Sequence, residues 1–314
     1  MTAPQRILVV GPSWVGDMVM AQSLFMTLQA QHPGVQIDVL APPWSLPILQ
    51  RMPQVRQGIA MPLGHGQFGL RTRWQLGRQL AKPGYDQAIV LPGSLKSALV
   101  PWFAGIPVRT GYTGEMRLGL LNDRRPLDKQ ALPMTVQRFV ALGHTPHPMQ
   151  APEVPSPQLA ADAENATRTL ARLGLNLDRP VVAFMPGAEY GPAKQWPAPH
   201  FAQLAKDLTA RGQQVWILGS AKDRDVGASI AEAAATSHVH NLCGQTALGD
   251  VVDLLSLCAA AVSNDSGLMH VAAALGKPMA ALYGSSDPGH TPPLSPQARV
   301  IYLGLDCSPC FERQ

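Results

Sequence analysis

The chain has 314 residues, a formal net charge of +4, and 46% hydrophobic against 15% charged residues. That length exceeds one ordinary domain and predicts two, each with a sizeable core, and the composition excludes a disordered or low-complexity protein. No apolar run approaches the ~20 residues that span a bilayer, and the N-terminus lacks the charged-then-apolar pattern of a signal peptide, so a cytoplasmic protein is expected. Charge is uneven along the chain: Lys and Arg outnumber Asp and Glu by 14 to 7 over residues 1–160, and fall behind by 11 to 14 after that. A basic first half suits an anionic partner, and equally an ordinary solvated surface. Cys243 and Cys258 lie in apolar segments and read as buried thiols of a reducing compartment, whereas Cys307 and Cys310 have metal-ligand spacing but no second pair, so no metal site is assigned.

In chain order, 7–10 is a β-branched run read as a buried parallel strand. It leads through Gly11-Pro12-Ser13-Trp14-Val15-Gly16-Asp17 into an amphipathic helix expected over 18–30, where Asp17 is either the N-cap or a functional carboxylate. Strands follow at 35–40 and around Ile59 and Met61, with a short helix over 46–51 between them. The helix expected over 71–82 carries Arg71, Arg73, Arg78 and Lys82, and strand 87–91 leads through Pro92-Gly93-Ser94 to a helix over 96–103. Strands alternating with helices in this way predict a doubly wound α/β domain with a parallel sheet. Ligands of such sheets sit beyond the carboxyl ends of the strands, which puts Gly16, Asp17, Gly93 and Ser94 on one rim. From 111 to 132 the pattern loosens around Tyr112, Glu115, Arg117, Arg124 and Arg125, and a loop region over that rim is expected. A helix over 133–145 is followed by Pro146, Pro148, Pro152, Pro155 and Pro157, which divide the chain into domains 1–158 and 159–314.

The second half repeats the alternation. Strands expected at 181–185, 215–218, 239–242, 259–262 and 279–283 are separated by helices at 201–211, 226–235, 248–257 and 271–275, after a first helix over 160–173. Their ends at Gly187, Gly219, Gly244 and Asp265 would line one rim of a second doubly wound sheet, and two such domains face to face would leave a cleft. The stretch Ser263-Asn264-Asp265-Ser266-Gly267-Leu268-Met269-His270 reads as strand end, tight turn and helix start. Ser266 or Asp265 is expected to cap that helix, Gly267 admits a close ligand, and His270 falls one turn in, on roughly the same face. The free N–H groups there suit a phosphate or pyrophosphate, although a plain capped helix has the same spelling. Neither half contains the glycine spacing of a dinucleotide fold or a P-loop, and aromatic residues do not interleave with basic ones as in nucleic-acid modules.

Taken together, Gly16-Asp17-Met18-Val19, the loop ending Lys194-Gln195-Trp196-Pro197, Asp265-Ser266-Gly267-Leu268-Met269-His270 and the closing Gly284-Ser285-Ser286-Asp287-Pro288 make the chain resemble glycosyltransferase family 9 over essentially its whole length. The loop from Gly187 through Tyr190 to Lys194, and Gly111-Tyr112-Thr113-Gly114-Glu115, resemble the second heptosyltransferase type of that family more than the first. The resemblance implies a GT-B fold of two Rossmann-like domains, with ADP-heptose bound by the C-terminal one and heptosyl-Kdo2-lipid A by the N-terminal one. It implies inverting transfer of L-glycero-D-manno-heptose in the lipopolysaccharide core pathway of Gram-negative bacteria. Carried onto this sequence, Asp17 is the catalytic carboxylate, Lys194 the cation beside the diphosphate, and Gly187, Asp265, Ser266, Gly267 and His270 belong to the donor site. Gly16, Ser94, Lys96 and Tyr112 are the acceptor-side candidates. Ser266 stands where relatives commonly have Thr and keeps the hydroxyl; relatives also continue past Gln314 into a terminal helix that this sequence lacks.

No cofactor is implied. Lys194 and the helix N-terminus supply positive charge, and no Asp-x-Asp pair is expected at the diphosphate, so metal-independent transfer is the expectation. Lipid A phosphates, Kdo carboxylates and the cytoplasmic face of the inner membrane then become candidate partners for Arg71, Arg73, Arg78 and Lys96, through a peripheral, salt-sensitive contact. Three alternatives stand beside this: a type I or III heptosyltransferase of the same family, a GT-B-like sugar-nucleotide epimerase, and a non-catalytic nucleotide-binding protein.

Overall fold

The computed structural model describes residues 4–64, 66–148, 150–189 and 191–312. They form two compact units, Met1–Pro155 and Ser156–Gln314.

The first unit runs β1 (Arg6–Val10), α1 (Val15–Gln31), β2 (Gln36–Ala41), α2 (Leu46–Leu49), β3 (Val55–Ala60), α3 (Leu70–Leu80), β4 (Gln87–Val90), α4 (Leu99–Phe103), β5 (Val108–Tyr112), β6 (Asp123–Arg125) and α5 (Thr135–Ala141). Its sheet is ordered β3-β2-β1-β4-β5-β6 and is parallel throughout. β1 and β4 are the two central strands, and the order reverses between them, which makes their C-terminal ends the ligand-binding crevice of such a sheet. Leu8, Val10, Leu40, Ala88 and Val90 form one buried layer of the core.

Two expectations change here. The helix read as amphipathic over 18–30 starts three residues earlier and is buried on nearly every side, from Met18 through Phe25 to Leu28. Sheet and α5 cover it together; a Cβ on Gly143, just past α5, would come within 2.7 Å of Leu24. The segment expected to be loop, 111–132, holds β6 and the end of β5, and β5 itself is not among the expected strands. Their sequences, VRTGY and DRR, are short and polar, so they lack the apolar run that marks a central strand.

The second unit runs α6 (Ala163–Leu173), β7 (Val181–Met185), α7 (Ala198–Ala210), β8 (Gln214–Ile217), α8 (Arg224–Ala234), β9 (Val239–Asn241), α9 (Leu248–Leu257), β10 (Ala260–Asn264), α10 (Gly267–Ala274), β11 (Met279–Tyr283) and β12 (Ala298–Tyr302). The parallel order is β12-β11-β10-β7-β8-β9, so this sheet reverses between β7 and β10. β12 is an edge strand with Val300 and Ile301 exposed, absent from the sequence reading although its ARVIY spelling has the β-branched and aromatic enrichment of a strand. Phe184, Phe201, Val215, Ile217 and Ile230 centre the core. Cys243 and Cys258 are buried, and burial pushes both thiols up to about 12, so they are inert; Cys307 and Cys310 are exposed.

Candidate active site

In the first unit, the chain leaves β1 through Gly11 to Trp14 and enters α1 at Val15. Trp14 holds the N-cap position, so Asp17 is the third residue of the helix and not its cap. A carboxylate in a first turn faces the positive end of the helix dipole. Half-buried Asp17 lines a cleft of about 400 Å³ at the crevice between the β1 and β4 ends, together with Trp14, Gly93, Tyr112, Arg117 and Arg138. Arg117 fixes its floor: Nη1 donates to Pro92 O (2.9 Å) and Nη2 to Tyr112 O, joining the ends of β4 and β5. Gly114 has to be glycine because a Cβ there would lie 2.7 Å from Gly93 O.

Of the acceptor-side candidates, Tyr112 lines this cleft and Gly16, Ser94 and Lys96 do not. Tyr112 contributes ring rather than hydroxyl, since its Oη donates to Arg138 O (2.7 Å) and burial raises its pKa. Buried Gly16 packs inside the helix start, and the Ser94 carbonyl accepts from Ser97 N (3.2 Å) and Oγ (2.5 Å). Arg117 comes from the polar segment expected over this rim, although no role is assigned to it there, while Trp14 and Arg138 are not among the expected site residues. The one signal for Trp14 is a bulky aromatic in a Gly-Pro loop three residues before Asp17; Arg138 gives none.

In the second unit, the switch point lies between the β7 and β10 ends, and the expected donor residues gather there. The loop after β7 turns through a 3-10 segment, Pro192–Lys194, that brings Lys194 Nζ within 2.5 Å of Asp265 Oδ2. Asp265 is 6% exposed, and its Oδ2 also accepts from Ser286 Oγ (2.6 Å) at the β11 end. Fully buried Asn264 staples the loop to the sheet, donating to Pro186 O (2.6 Å) and accepting from Trp196 N (3.0 Å). Trp196 is further held by stacking on His200. Asn264, Ser285 and Ser286 belong to motifs read from the sequence but have no role assigned there; Ser285 Oγ is buried without a hydrogen-bond partner among the described residues.

The capping expectation is corrected. Ser266 occupies the N-cap of α10, but its hydroxyl makes no capping bond and lies 3.3 Å from Ser263 Oγ, while the Asp265 carboxylate serves Lys194 and Ser286. Without a side-chain cap, the first N–H groups from Gly267 onward keep their donor capacity. His270 is one turn in and buried, which pushes its pKa down to about 4; Asp265 pulls it up and Lys194 pushes it further down. At neutral pH it is an uncharged imidazole beside an ion pair. Gly187 packs against the Asp223 carboxylate, where a Cβ would sit 2.3 Å from Oδ1 and push that carboxylate aside. Tyr190, in the same loop, lies outside the described residues.

Two sequence expectations about charge change as well. Asp223-Arg224-Asp225 is an alternating acidic pair at the β8 end that the sequence reading passed over. Asp223 is occupied in capping, accepting from Ser220 N and Oγ (both 2.8 Å), and Asp225 is exposed in the first turn of α8. Among the described residues no group of three or more His, Cys, Asp or Glu is placed to hold a metal ion. Much of the basic excess of the first half is internal. Arg73 is 5% exposed and donates to Phe68 O (2.7 Å), Lys96 O (3.1 Å) and Gln67 O (3.3 Å), so it is not available to an anionic partner. Arg109, Arg117 and Arg125 likewise donate to main-chain carbonyls; Arg138 donates to Leu132 O and Pro133 O (both 2.9 Å) but is only half-buried and borders the cleft, so its charge still acts there, and Arg71 and Arg78 are exposed.

The model of glycosyltransferase family 9 (heptosyltransferase) matches residues 73–314. The chain belongs to glycosyltransferase family 9. This family 9 chain is 53% identical over 306 residues to lipopolysaccharide heptosyltransferase 2 of Escherichia coli (strain K12), covering 95% of this chain and 88% of that protein. It is 48% identical over 308 residues to lipooligosaccharide heptosyltransferase 2 of Haemophilus influenzae, with the same coverage, 95% and 88%. The solved structure of E. coli ADP-heptose lipopolysaccharide heptosyltransferase II superposes with a TM-score of 0.86 at 51% identity, covering 94% of this chain and 90% of that one. The family 9 chain thus has the α/β, GT-B-like architecture of two Rossmann-like parallel sheets.

Proposed function

We propose that this family 9 enzyme transfers L-glycero-D-manno-heptose from ADP-heptose to the inner heptose of heptosyl-Kdo2-lipid A in lipopolysaccharide core biosynthesis, with inversion at the anomeric carbon. The observation that supports it most is the Lys194–Asp265 pair beside the uncapped start of α10, at the switch point of a sheet in a chain half identical to type 2 heptosyltransferases. In this reading 159–314 binds the donor and 1–158 the acceptor. Asp17 takes the proton from the acceptor hydroxyl as its oxygen bonds to the anomeric carbon, and the bond from that carbon to the diphosphate breaks. The departing ADP gains negative charge, which Lys194 and the α10 N–H groups take up, the helix end contributing up to ~2 kcal/mol when partly buried. Neutral His270 keeps the pocket from carrying a second fixed cation. With this charge supplied by the protein, transfer is metal-independent, and an excess of chelator leaves the rate unchanged.

The acceptor carries phosphates and carboxylates on a lipid, and Arg138 gives its cleft a cationic wall. We infer peripheral contact with the cytoplasmic face of the inner membrane through the outer face of α3, where Leu70, Arg71, Trp74 and Arg78 recur at helical spacing, are all exposed, and have no acidic neighbour on the helix. Among the described residues no helix is long and apolar enough to cross a membrane. The test is incubation with ADP-heptose, with and without heptosyl-Kdo2-lipid A. Acceptor-dependent ADP release is expected; an isomerised donor, or binding with no turnover, overturns the reading in favour of the epimerase or the non-catalytic binder.

A further inference from the structure

We propose that Trp14 is the sugar-stacking platform of the cleft beside Asp17, holding one pyranose ring of the acceptor by its C–H face; this rests on the reading that this cleft takes the acceptor. Trp14 occupies an N-cap, a position where Ser, Thr, Asp or Asn satisfies free N–H groups, and it makes no capping bond there. A residue that breaks a local rule without a local gain marks a functional position. Its side chain is also 58% exposed, so it contributes little to the core.

Although the side chain is exposed, the backbone that carries it is pinned on both sides. The Trp14 carbonyl accepts from Met18 N (2.9 Å), and the carbonyl of Ser13 accepts from the Trp44 indole Nε1 (3.1 Å). The result is a rigid mount for a large flat apolar surface on the wall of the cleft. Trp14 lies three residues before Asp17, on the same side of the first turn, and both line the cleft. Arg138 lines the same cleft.

An aromatic plane, a cation and a carboxylate suit a ligand with an apolar face, an acidic substituent and a hydroxyl to be deprotonated. A pyranose in an acidic saccharide has all three. Stacking on the indole fixes the tilt of the ring and so the hydroxyl that meets Asp17, which makes Trp14 a determinant of acceptor affinity.

The experiment is steady-state kinetics of Trp14→Phe and Trp14→Ala with heptosyl-Kdo2-lipid A and with ADP-heptose, with acceptor titration followed by indole fluorescence in the absence of donor. Trp14→Ala is expected to raise the acceptor KM about tenfold, the upper range for an aromatic contact, with the donor KM unchanged. Trp14→Phe should remain within about threefold of the parent and lose most of the fluorescence change. An unchanged acceptor KM in Trp14→Ala, or a fall confined to kcat, overturns the proposal and leaves Trp14 a support for Asp17. Should Trp14→Ala fail to fold, an undiminished fluorescence response in Trp14→Phe overturns it equally. A parent enzyme that releases no ADP in the presence of acceptor instead removes the transferase reading itself.

Discussion

Asp17 and His270 both stand in the first turns of helices that follow central strands, yet their surroundings give them opposite tasks. Half-buried at the third position of α1 and bordering an open cleft, Asp17 is the base of the transfer proposed above. Replacing it with Asn should lower kcat by about 10²–10⁴-fold while ADP-heptose affinity stays within a factor of two. Turnover near the parent rate would remove Asp17 from the chemistry. His270, buried and held neutral, registers in stability instead. Its pKa falls from 6.5 in the unfolded chain to about 4 in the folded one. Above pH ~6.5 both states are neutral and the group contributes nothing. Between ~6.5 and ~4 the unfolded chain binds a proton that the folded chain does not, so stability is lost as pH falls, by on the order of 3 kcal/mol once pH 4 is reached. Urea unfolding of the parent and of His270→Gln at pH 7 and pH 5 should show a shallower pH dependence in the variant, and parallel curves would refute it.

Helices show how little local spelling says about surroundings. α1 carries an ordinary mix of apolar and polar residues yet is enclosed, with Gln22 and Ser23 fully buried, because α5 and the chain near Pro155 cover the side away from the sheet; Ser23 Oγ donates to Pro155 O at 2.6 Å. α3 is the opposite case. Its Gly77 sits against α4, where an added Cβ would lie 2.4 Å from Phe103 Cβ and 3.0 Å from Val100 O. Mid-helix, Gly→Ala is normally stabilising by about 0.5–1 kcal/mol. Here overpacking reverses the sign, and Gly77→Ala should destabilise by about 1–3 kcal/mol, a fall of a few degrees in Tm. A rise in Tm would show that α3 moves freely against α4. Arginines divide at the same scale. Arg125 is bonded to the carbonyls of Ala141, Leu142 and His144 (3.1, 3.2 and 2.7 Å), so it caps the end of α5 and is not an anion-binding group.

For the whole molecule, the charge left outside after such internal pairing bears on where the enzyme works. With Arg71, Trp74 and Arg78 outward on α3, binding to vesicles of mixed acidic and neutral phospholipid should weaken steeply between 50 and 500 mM salt, and charge reversal at Arg71 and Arg78 should remove most of it. Co-sedimentation checks this, and binding indifferent to salt would contradict it. The chain's own residues determined a good deal by themselves. Both α/β alternations, the Pro-rich break between them, the turn from Ser263 to His270 and the position of Asp17 are legible because strands, helix starts and glycine turns are written in neighbouring residues. Tertiary structure decided the rest. Arg71 and Arg73 are two residues apart with one chemistry, yet one is exposed and the other serves three carbonyls, because only the folded loops reveal which carbonyls lack a partner. Asn264 and Ser286 gain their roles from loops after β7 and β11, and the short polar strands β5 and β6 exist because β4 offers an edge to pair with. Trp14, Tyr112 and Arg138 share one cleft although more than 120 residues separate the first from the last. Local periodicity encodes which elements form; the crossing of the chain at a sheet's switch point determines which side chains meet, and no window of sequence contains both partners.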